Sequence, residues 1–364
     1  MPQINGYIAN FTPANYATGE TALEGMLDCS LGVNPYGCSA AVTAALQGFD
    51  MSHEASAYPH ADALKSAIAR YWAPWATPTA ARIVYGNGSM GLLADINRLF
   101  LYPGAKVFGV IPGFSAYSDD VRMCGASYTG FTLTSARSEN EMIDGILAGI
   151  RQEKPHMICL ENPNNPTGYA VTLAGVERVV SLAEALDIPI LVDEAYGDFL
   201  PQSQSAICLS SKYKSLIVTR TFSKGFGLAG LRVGYAVADT YITENLQKIS
   251  CLFNANALGR RAAEAALGDM RFMEETIASI RRGKKAILGA VHNIFAYPTA
   301  ETTPIMTLCT GRDVDLFEHL LRFGVFAVPG AGFEGLSRRN VRLIVHRDID
   351  ELAARLTAAD SALA

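Results

Sequence analysis

The sequence predicts an α/β protein with a mostly parallel central sheet between layers of helices, and a second, smaller α/β lobe. The chain of 364 residues exceeds the length at which one hydrophobic core usually stops growing. Strand and helix patterns alternate from residue 83 to residue 235, which is typical of a parallel sheet covered on both faces. Beyond residue 235 helical patterns dominate. We therefore predict three regions: 1–45, an N-terminal arm that forms part of the small lobe; 46–245, a large domain; and 246–364, a small C-terminal domain.

Composition and charge exclude several classes of protein. Hydrophobic residues make up 49% and charged residues 18% of the chain, a balance that argues against disorder. The net charge of -5 gives no electrostatic reason to expect a nucleic acid or an anionic membrane as partner. Seven cysteines are scattered without a Cys-x-x-Cys pair, so neither disulfides nor a metal site is expected, and reduced thiols favour the cytoplasm. No apolar run reaches the length of a membrane span, and the N-terminus lacks the pattern of a signal peptide.

Apolar runs that end in polar or glycine-rich turns predict the strands of the large domain. They begin at residue 83 and recur at 107–112, 157–160, 188–192, 215–218 and 233–238. Helical spacing of apolar residues predicts helices at 61–72, 90–100 and 172–186. Asp193 directly follows one of these strands, and ligands of open α/β sheets bind beyond the carboxyl ends of the strands. Asp193 is therefore a candidate ligand-binding residue.

The predicted small lobe combines helices with short strands. Its elements are expected at 241–252, 257–267 and 272–292 (helices), 305–309 and 341–346 (strands), and 349–364 (a packing helix). Residues 6–25 show no clear period and predict an arm with some helix. A short strand is expected at 27–30, before a turn at 32–37.

One lysine stands in the segment 219–235, around which the rest of the chain is organised. Lys224 lies between hydroxyl residues and a glycine-rich run, and a lysine in a restricted pocket can form a Schiff base. Thr221, Ser223 and Arg232 together could hold a phosphate, the arginine through a charge-assisted fork. From these residues alone, a loop with an exposed lysine is an equally good interpretation.

Two motifs resemble those of a known family. Residues 223–235, Ser-Lys-Gly-Phe-Gly-Leu-Ala-Gly-Leu-Arg-Val-Gly-Tyr, resemble the cofactor-lysine motif of the class I/II aminotransferases, which are pyridoxal-phosphate enzymes of fold type I. Residues 162–168, Asn-Pro-Asn-Asn-Pro-Thr-Gly, resemble a second signature of this family. The resemblance spans 34–342 and is strongest to the branch of histidinol-phosphate aminotransferase and threonine-phosphate decarboxylase.

The resemblance implies roles around the cofactor ring. Lys224 would form the Schiff base and then act as general base, and Asp193 would pair with the pyridine nitrogen. Asn165 and Tyr196 would bond the phenolic oxygen of the ring. Phe114 would stack on the ring, and Tyr117 is the alternative for that role.

Other positions would bind the cofactor phosphate. Ser89 and Met90 follow a strand and a glycine turn at the start of a helix, where backbone N–H groups bind anions. The resemblance assigns them to the phosphate, together with Thr221, Ser223 and Arg232. It also implies that Tyr58 reaches the phosphate of a neighbouring subunit in a homodimer; from the sequence alone, a tyrosine packed at a helix entrance is the simpler interpretation.

Substrate contacts are implied at two positions. Arg342 is flanked by apolar residues on a strand, and a buried arginine needs an anion. By resemblance, that anion is the carboxylate or phosphate of the substrate. Asn34 would lie at the mouth of the site. Arg338 and Arg339 are either surface charges or a second anion contact.

The function that follows is transamination through a Schiff base on Lys224, from an amino acid or amino-alcohol phosphate to a keto acid, in a ping-pong cycle. A decarboxylase of the threonine-phosphate type, or a lyase or cyclase acting on a modified amino acid, is the alternative. The stretch 112–117 resembles the decarboxylase more closely, whereas the Lys224 and Arg232 segments resemble the aminotransferase. A regulator without catalysis is a remote third option.

Overall fold

A computed structural model describes residues 3–9, 11–14, 22–60 and 62–364. Within these ranges the strands are β1 Leu27–Asp28, β2 Ile83–Asn87, β3 Lys106–Ile111, β4 Ser127–Thr132, β5 Met157–Glu161, β6 Ile190–Asp193, β7 Leu216–Thr221, β8 Val233–Val237, β9 Ile294–Ala296, β10 Ile305–Thr310, β11 Val325–Phe326, β12 Val328–Pro329 and β13 Asn340–Ile344. The α-helices are α1 Gly6–Ala9, α2 Ala40–Gln47, α3 Ala63–Trp72, α4 Gly88–Phe100, α5 Ser115–Met123, α6 Glu139–Glu153, α7 Leu173–Ala185, α8 Thr240–Ile249, α9 Ala257–Leu267, α10 Met270–Ala290, α11 Leu316–Leu321 and α12 Ile349–Ser361.

The central sheet has seven strands in the order β2-β8-β7-β6-β5-β3-β4. Neighbouring strands from β7 to β4 run parallel, whereas β8 runs antiparallel to both β7 and β2. Two separate hydrophobic clusters pack against this sheet, and the larger one continues into the small lobe. The mostly parallel sheet between helices matches the predicted class.

The small lobe is built on an antiparallel sheet with the order β12-β13-β10-β9. The N-terminal strand β1 pairs in parallel with β11, so the start of the described chain is tied to C-terminal elements. Part of the arm expected at 6–25 lies outside the described residues, as does Ala61 at the start of the predicted helix 61–72. The division at residues 45 and 245 stays a prediction.

The structure adds elements that the apolar patterns did not predict. The strand β4 pairs with β3 on one side and forms the sheet edge, and most of its residues are only half-buried or exposed. An edge strand of this kind has no continuous apolar run to mark it. The helices α5 and α6 were also not predicted, although Ser138 caps α6 by accepting a hydrogen bond from the backbone N–H of Glu141. Among the described residues, no helix combines the length and the apolar character that a membrane crossing requires.

Candidate active site

An open cavity lies beyond the carboxyl ends of β5, β6 and β7, where ligands of such sheets bind, and its empty volume of about 710 Å³ includes the solvent at its mouth. It brings together nearly all of the residues that the sequence assigned to a cofactor. The predicted residues that line it are Ser89, Met90, Phe114, Asn165, Asp193, Tyr196, Thr221, Ser223, Lys224 and Arg232. Glu161, Pro163, Ala195 and Ala229 line it as well and were not predicted.

One end of the cavity is built to receive an anion. The helix α4 begins there at Gly88, so its first backbone N–H groups have no acceptor within the helix. Gly88 has a φ of +68°, and a Cβ at this position would lie 2.3 Å from a guanidinium nitrogen of Arg232. The Oγ of Ser223 accepts hydrogen bonds from Arg232 Nη1 at 3.3 Å and from Thr221 Oγ1 at 2.9 Å. Hydroxyls, a guanidinium and helix N–H groups therefore converge, as the sequence predicted.

The buried carboxylate of Asp193 lies where β6 finishes and lines the same cavity. Its Oδ1 accepts a hydrogen bond from Thr219 Oγ1 at 2.8 Å, and Thr219 is its register partner on β7. Burial raises the pKa of Asp193 to about 6, against the opposing effects of the Thr219 hydroxyl, a backbone N–H and Lys224. A carboxylate held in this way gains from a cationic partner in the cavity.

Lys224 lies beside the ring of Tyr196, with its Nζ 5.4 Å from the ring centroid. The hydroxyl of Tyr196 donates to the carbonyl of Gly32 at 3.3 Å. The same segment contributes Asn34, whose buried amide donates to the carbonyl of Gly225, next to Lys224, at 2.7 Å. Asn34 therefore fixes the backbone beside the lysine, and its contact with a substrate stays a prediction.

Phe114 lines the cavity, whereas Tyr117 points into the smaller hydrophobic cluster, edge-on to Tyr128. Burial raises the pKa of Tyr117 well above its usual range. Of the two aromatic residues that the sequence left open, Phe114 is the one placed to contact a ring.

Among the cavity-lining residues that the sequence did not predict, Glu161 is the one with an ionisable side chain. It ends β5 next to Asp193 and is buried, and burial together with the Asp193 charge raises its pKa to about 8 against two backbone N–H donors. The signal that identified Asp193, an acid at the end of a buried strand, is also present at Glu161. In the sequence, Glu161 stands directly before the turn-forming residues 162–168, which obscure that signal.

Arg342 is buried on β13, and its guanidinium connects the small lobe to the cavity. It donates to Asn165 Oδ1 at 3.3 Å and to the carbonyl of Ser30, and its Cζ lies 5.9 Å from the ring centre of Phe333. The side chain is therefore held beside a cavity residue, in line with its predicted role toward an anionic group of the substrate.

Three predicted residues lie away from the cavity. Tyr58 is 70% exposed and stacks on Phe253 with 4.3 Å between ring centroids. Arg338 and Arg339 are exposed and share the exposed carboxylate of Asp313, at 2.9 and 2.8 Å. Of the two options that the sequence left open for Arg338 and Arg339, these positions favour surface charges.

The comparisons with known proteins agree with this geometry. The sequence model of the family described as "Aminotransferase class I and II" matches residues 24–356. The chain belongs to this family. It is 34% identical over 306 residues to a histidinol-phosphate aminotransferase of Chromobacterium violaceum, with 83% of this chain and 82% of the relative covered. It is 32% identical over 283 residues to that of Lactiplantibacillus plantarum, with 76% of each chain covered.

Solved structures of aminotransferases share the fold. The histidinol-phosphate aminotransferase of Sinorhizobium meliloti, solved in complex with pyridoxal-5'-phosphate, superposes with a TM-score of 0.81 at 25% identity, covering 100% of this chain and 99% of that one. A Thermus thermophilus aspartate aminotransferase variant superposes with a TM-score of 0.84 at 18% identity, with both chains fully covered, which shows the fold alone. The predicted fold type I, the predicted aminotransferase and its predicted cofactor are thus confirmed.

The residues of this chain fit pyridoxal phosphate. The phosphate matches the donor set around Arg232, a ring nitrogen matches the buried carboxylate of Asp193, and an aldehyde matches the amine of Lys224. Gly234 on β8 allows the start of α4 to approach closely, because a Cβ there would lie 2.7 Å from the backbone nitrogen of Ser89. The role of each single residue toward the cofactor stays a prediction.

Proposed function

We propose that this aminotransferase moves an amino group from an amino acid or an amino-alcohol phosphate to a keto acid, in two half-reactions that share Lys224. The observation that carries the proposal is the placement of Lys224, Asp193 and the anion-binding end around one cavity, with Arg342 beside it. A phosphate-bearing amino donor is supported by the histidinol-phosphate aminotransferases to which the chain is similar.

Bound pyridoxal phosphate supplies an aldehyde that condenses with amines and a ring that accepts electrons. The chain's own groups hold and orient the reacting parts. Arg232, Ser223 and Thr221, with the first N–H groups of α4, bind the phosphate. The carboxylate of Asp193 keeps a proton on the ring nitrogen, which lowers the energy of added negative charge.

Lys224 then acts at the substrate. Its Nζ, beside Tyr196, would take a proton from the substrate Cα as general base and deliver it to the former aldehyde carbon of the cofactor. The amino group would then stay with the cofactor when water releases the keto product. Arg342 binds the carboxylate or phosphate of the substrate by a charge-assisted fork and so sets which bond at Cα is broken. Asn165 and Tyr196, whose hydroxyl donates to Gly32 in this structure, would donate to the phenolic oxygen of the ring, and Phe114 would pack on the ring face.

The deciding experiment compares Lys224→Ala with Lys285→Ala, an exposed lysine on α10 that lies outside the cavity lining. The carbonyl product, which is a keto acid from an amino acid and a carbonyl phosphate from an amino-alcohol phosphate, is measured together with carbon dioxide and the visible absorbance of bound cofactor. The proposal expects carbonyl product without carbon dioxide, and a loss of turnover of roughly 10²- to 10⁴-fold in Lys224→Ala alone. Carbon dioxide in place of keto acid would establish the decarboxylase alternative instead.

We also infer a homodimer in the cytoplasm. The exposed stack of Tyr58 on Phe253 presents aromatic surface to a partner, and aromatic residues are enriched at interfaces. Seven cysteines without a disulfide suit a reducing compartment. Sedimentation at micromolar concentration tests the dimer, and a monomer that keeps full activity would contradict it.

A further inference from the structure

The carboxylate of Glu161 lies between two parts of the chain that face the cavity. Glu161 is the last residue of β5, and its neighbour in register on β6 is Asp193. Its side chain is buried and lines the same cavity. The chemistry proposed above does not use this carboxylate.

The two carboxylate oxygens are divided between two loops. Oε1 accepts a hydrogen bond from the backbone N–H of Phe114 at 2.6 Å, and Oε2 accepts one from the backbone N–H of Asn165 at 3.1 Å. Phe114 is the N-terminal cap residue of α5, and Asn165 belongs to the loop 162–168. One side chain therefore fixes the distance between the residue that faces the ring and the residue that faces its phenolic oxygen.

The fit around this carboxylate is close. A Cβ added at Gly113 would lie 2.8 Å from Glu161 Oε1 and 2.9 Å from the carbonyl oxygen of Val110. A buried N–H without an acceptor is costly, so neither loop can leave the carboxylate without a penalty. A further hydrogen bond connects the loop 162–168 to the residues before α5: Asn164 Nδ2 donates to the carbonyl of Pro112 at 3.0 Å.

We infer that Glu161 is a positioning residue for cofactor binding, which holds the backbone of Phe114 and of Asn165 at a fixed separation on the two sides of the ring. The inference rests on the proposed function, because that proposal assigns Phe114 and Asn165 to the ring. Glu161 itself touches neither the ring nor the substrate in this assignment; it acts through the two loops.

The test uses the apoenzyme and two variants with different defects. Glu161→Gln keeps the size of the side chain but turns one acceptor into an amide donor, so one of the two backbone N–H groups loses its partner. Glu161→Asp keeps both acceptors but is one methylene shorter and cannot reach both loops. Both variants are titrated with pyridoxal phosphate at pH 9, above the raised pKa of Glu161, so that both of its oxygens are acceptors in wild type, and both are assayed for KM and kcat as holoenzymes.

The matched control is Asp360→Asn. Asp360 is also a buried carboxylate that accepts backbone N–H groups, those of His292, Asn293 and Ile294, but it lies in the small lobe away from the cavity. We expect Asp360→Asn to lower the melting temperature and to leave the Kd for pyridoxal phosphate unchanged.

For the Glu161 variants we expect the Kd for pyridoxal phosphate to rise roughly 5- to 100-fold, the range expected when a buried N–H loses its acceptor. The kcat should fall, while the KM for the amino donor stays within about twofold, because Arg342, which the proposed function assigns to the anionic group of the substrate, lies on β13 and keeps its bond to the carbonyl of Ser30. A lower melting temperature with an unchanged Kd would overturn the inference. Failure of both variants to fold would overturn it too, because the carboxylate would then belong to the core.

The wild-type titration separates this inference from the proposed function. If the wild-type apoenzyme does not bind pyridoxal phosphate, the proposed function fails. If it binds and both Glu161 variants bind equally well, the inference about Glu161 fails alone.

Discussion

The two faces of the strand pair β6 and β7 use buried charge in opposite ways. Successive residues of a strand point to opposite faces, so Asp193 faces the cavity while Glu194, directly after it, faces away. On the side away from the cavity, Arg220 Nη1 contacts Glu194 at 2.8 Å, and its Nη2 contacts Asp198 at 2.6 Å. We call this cluster, Arg220 with Glu194 and Asp198, the ion triad.

The difference shows which charges serve stability and which serve chemistry. The ion triad is shielded from solvent, because its three side chains are only 2–4% exposed. The Cζ of Arg220 also lies 5.1 Å from the ring centroid of Trp72. Asp193, in contrast, borders an open cavity large enough for a cofactor. Buried charges whose partners belong to the chain should therefore matter for unfolding. Asp193 should matter for turnover.

The largest effect is expected from Arg220→Met, which removes the cation of the ion triad. Two buried carboxylates would lose their cation, and removing one partner of such a cluster costs about 3–5 kcal/mol of the free energy of unfolding. Urea denaturation of the apoenzyme measures this loss. The control Arg338→Met breaks an exposed ion pair that solvent screens, so its loss should be much smaller. Equal losses of the free energy of unfolding in the two variants would contradict the distinction between buried and exposed ion pairs.

The next-largest effect is expected from Asp193→Asn, on the side that faces the cavity. We expect kcat to fall on the order of 10²- to 10³-fold, as for other electrostatic groups at reacting centres. The asparagine keeps an oxygen that can accept the Thr219 hydroxyl, so the fold should be retained.

The stability of the same variant should move in the opposite direction from that of Arg220→Met. Because the pKa of Asp193 is raised to about 6 from its ordinary 3.8, the folded apoenzyme binds this proton more tightly than the unfolded chain. The free energy of unfolding of wild type therefore falls as the pH rises from about 4 to 6, and it stays lowered above pH 6. Asp193→Asn should unfold at higher urea than wild type at pH 7 and lose that advantage near pH 4. A variant less stable at both pH values would contradict this.

How far the sequence predicted the site depends on how local each signal is. The segments around Asn165 and Lys224 carry their signals in contiguous residues, and the structure brings them to one cavity as predicted. The triad was not predicted, because Arg220 and Asp198 meet only through strand pairing and a turn. The edge strand β4 was missed for a similar reason, since pairing on one side leaves no apolar run.

A third kind of buried charge sharpens the comparison further. Lys284 on α10 is 1% exposed, and its Nζ donates to Thr299 Oγ1 at 2.6 Å, to the carbonyl of Ala300 at 2.5 Å and to Thr303 Oγ1 at 2.9 Å. Oxygens of neutral groups, rather than a carboxylate, thus receive its ammonium. Burial lowers its pKa to about 7 from 10.5.

We expect the stability of wild type to rise relative to that of Lys284→Met by about 1–2 kcal/mol between pH 7 and pH 9. Over that range the unfolded chain keeps the lysine proton while the folded chain loses it, so folding becomes more favourable. Urea denaturation of both proteins at the two pH values measures the difference. If the two proteins differed in free energy of unfolding by the same amount at both pH values, Lys284 would stay charged in the folded chain over this range. Lys285→Met, its exposed neighbour, is the control and should show no such change.

The smallest effect is expected at Tyr58 and depends on the homodimer that we propose. If Tyr58 reaches the cofactor phosphate of a partner subunit, Tyr58→Phe removes one hydrogen bond and keeps the stack on Phe253. One such bond is worth about 0.5–1.5 kcal/mol, so the Kd for pyridoxal phosphate should rise about 2- to 10-fold. Titration of the apoenzyme dimer measures this, with Tyr241→Phe, another exposed tyrosine, as control. An unchanged Kd in a stable dimer would show that the phosphate is held by one chain alone, through Arg232 and its neighbours. All contacts to the cofactor would then come from one chain, just as all contacts within the ion triad do.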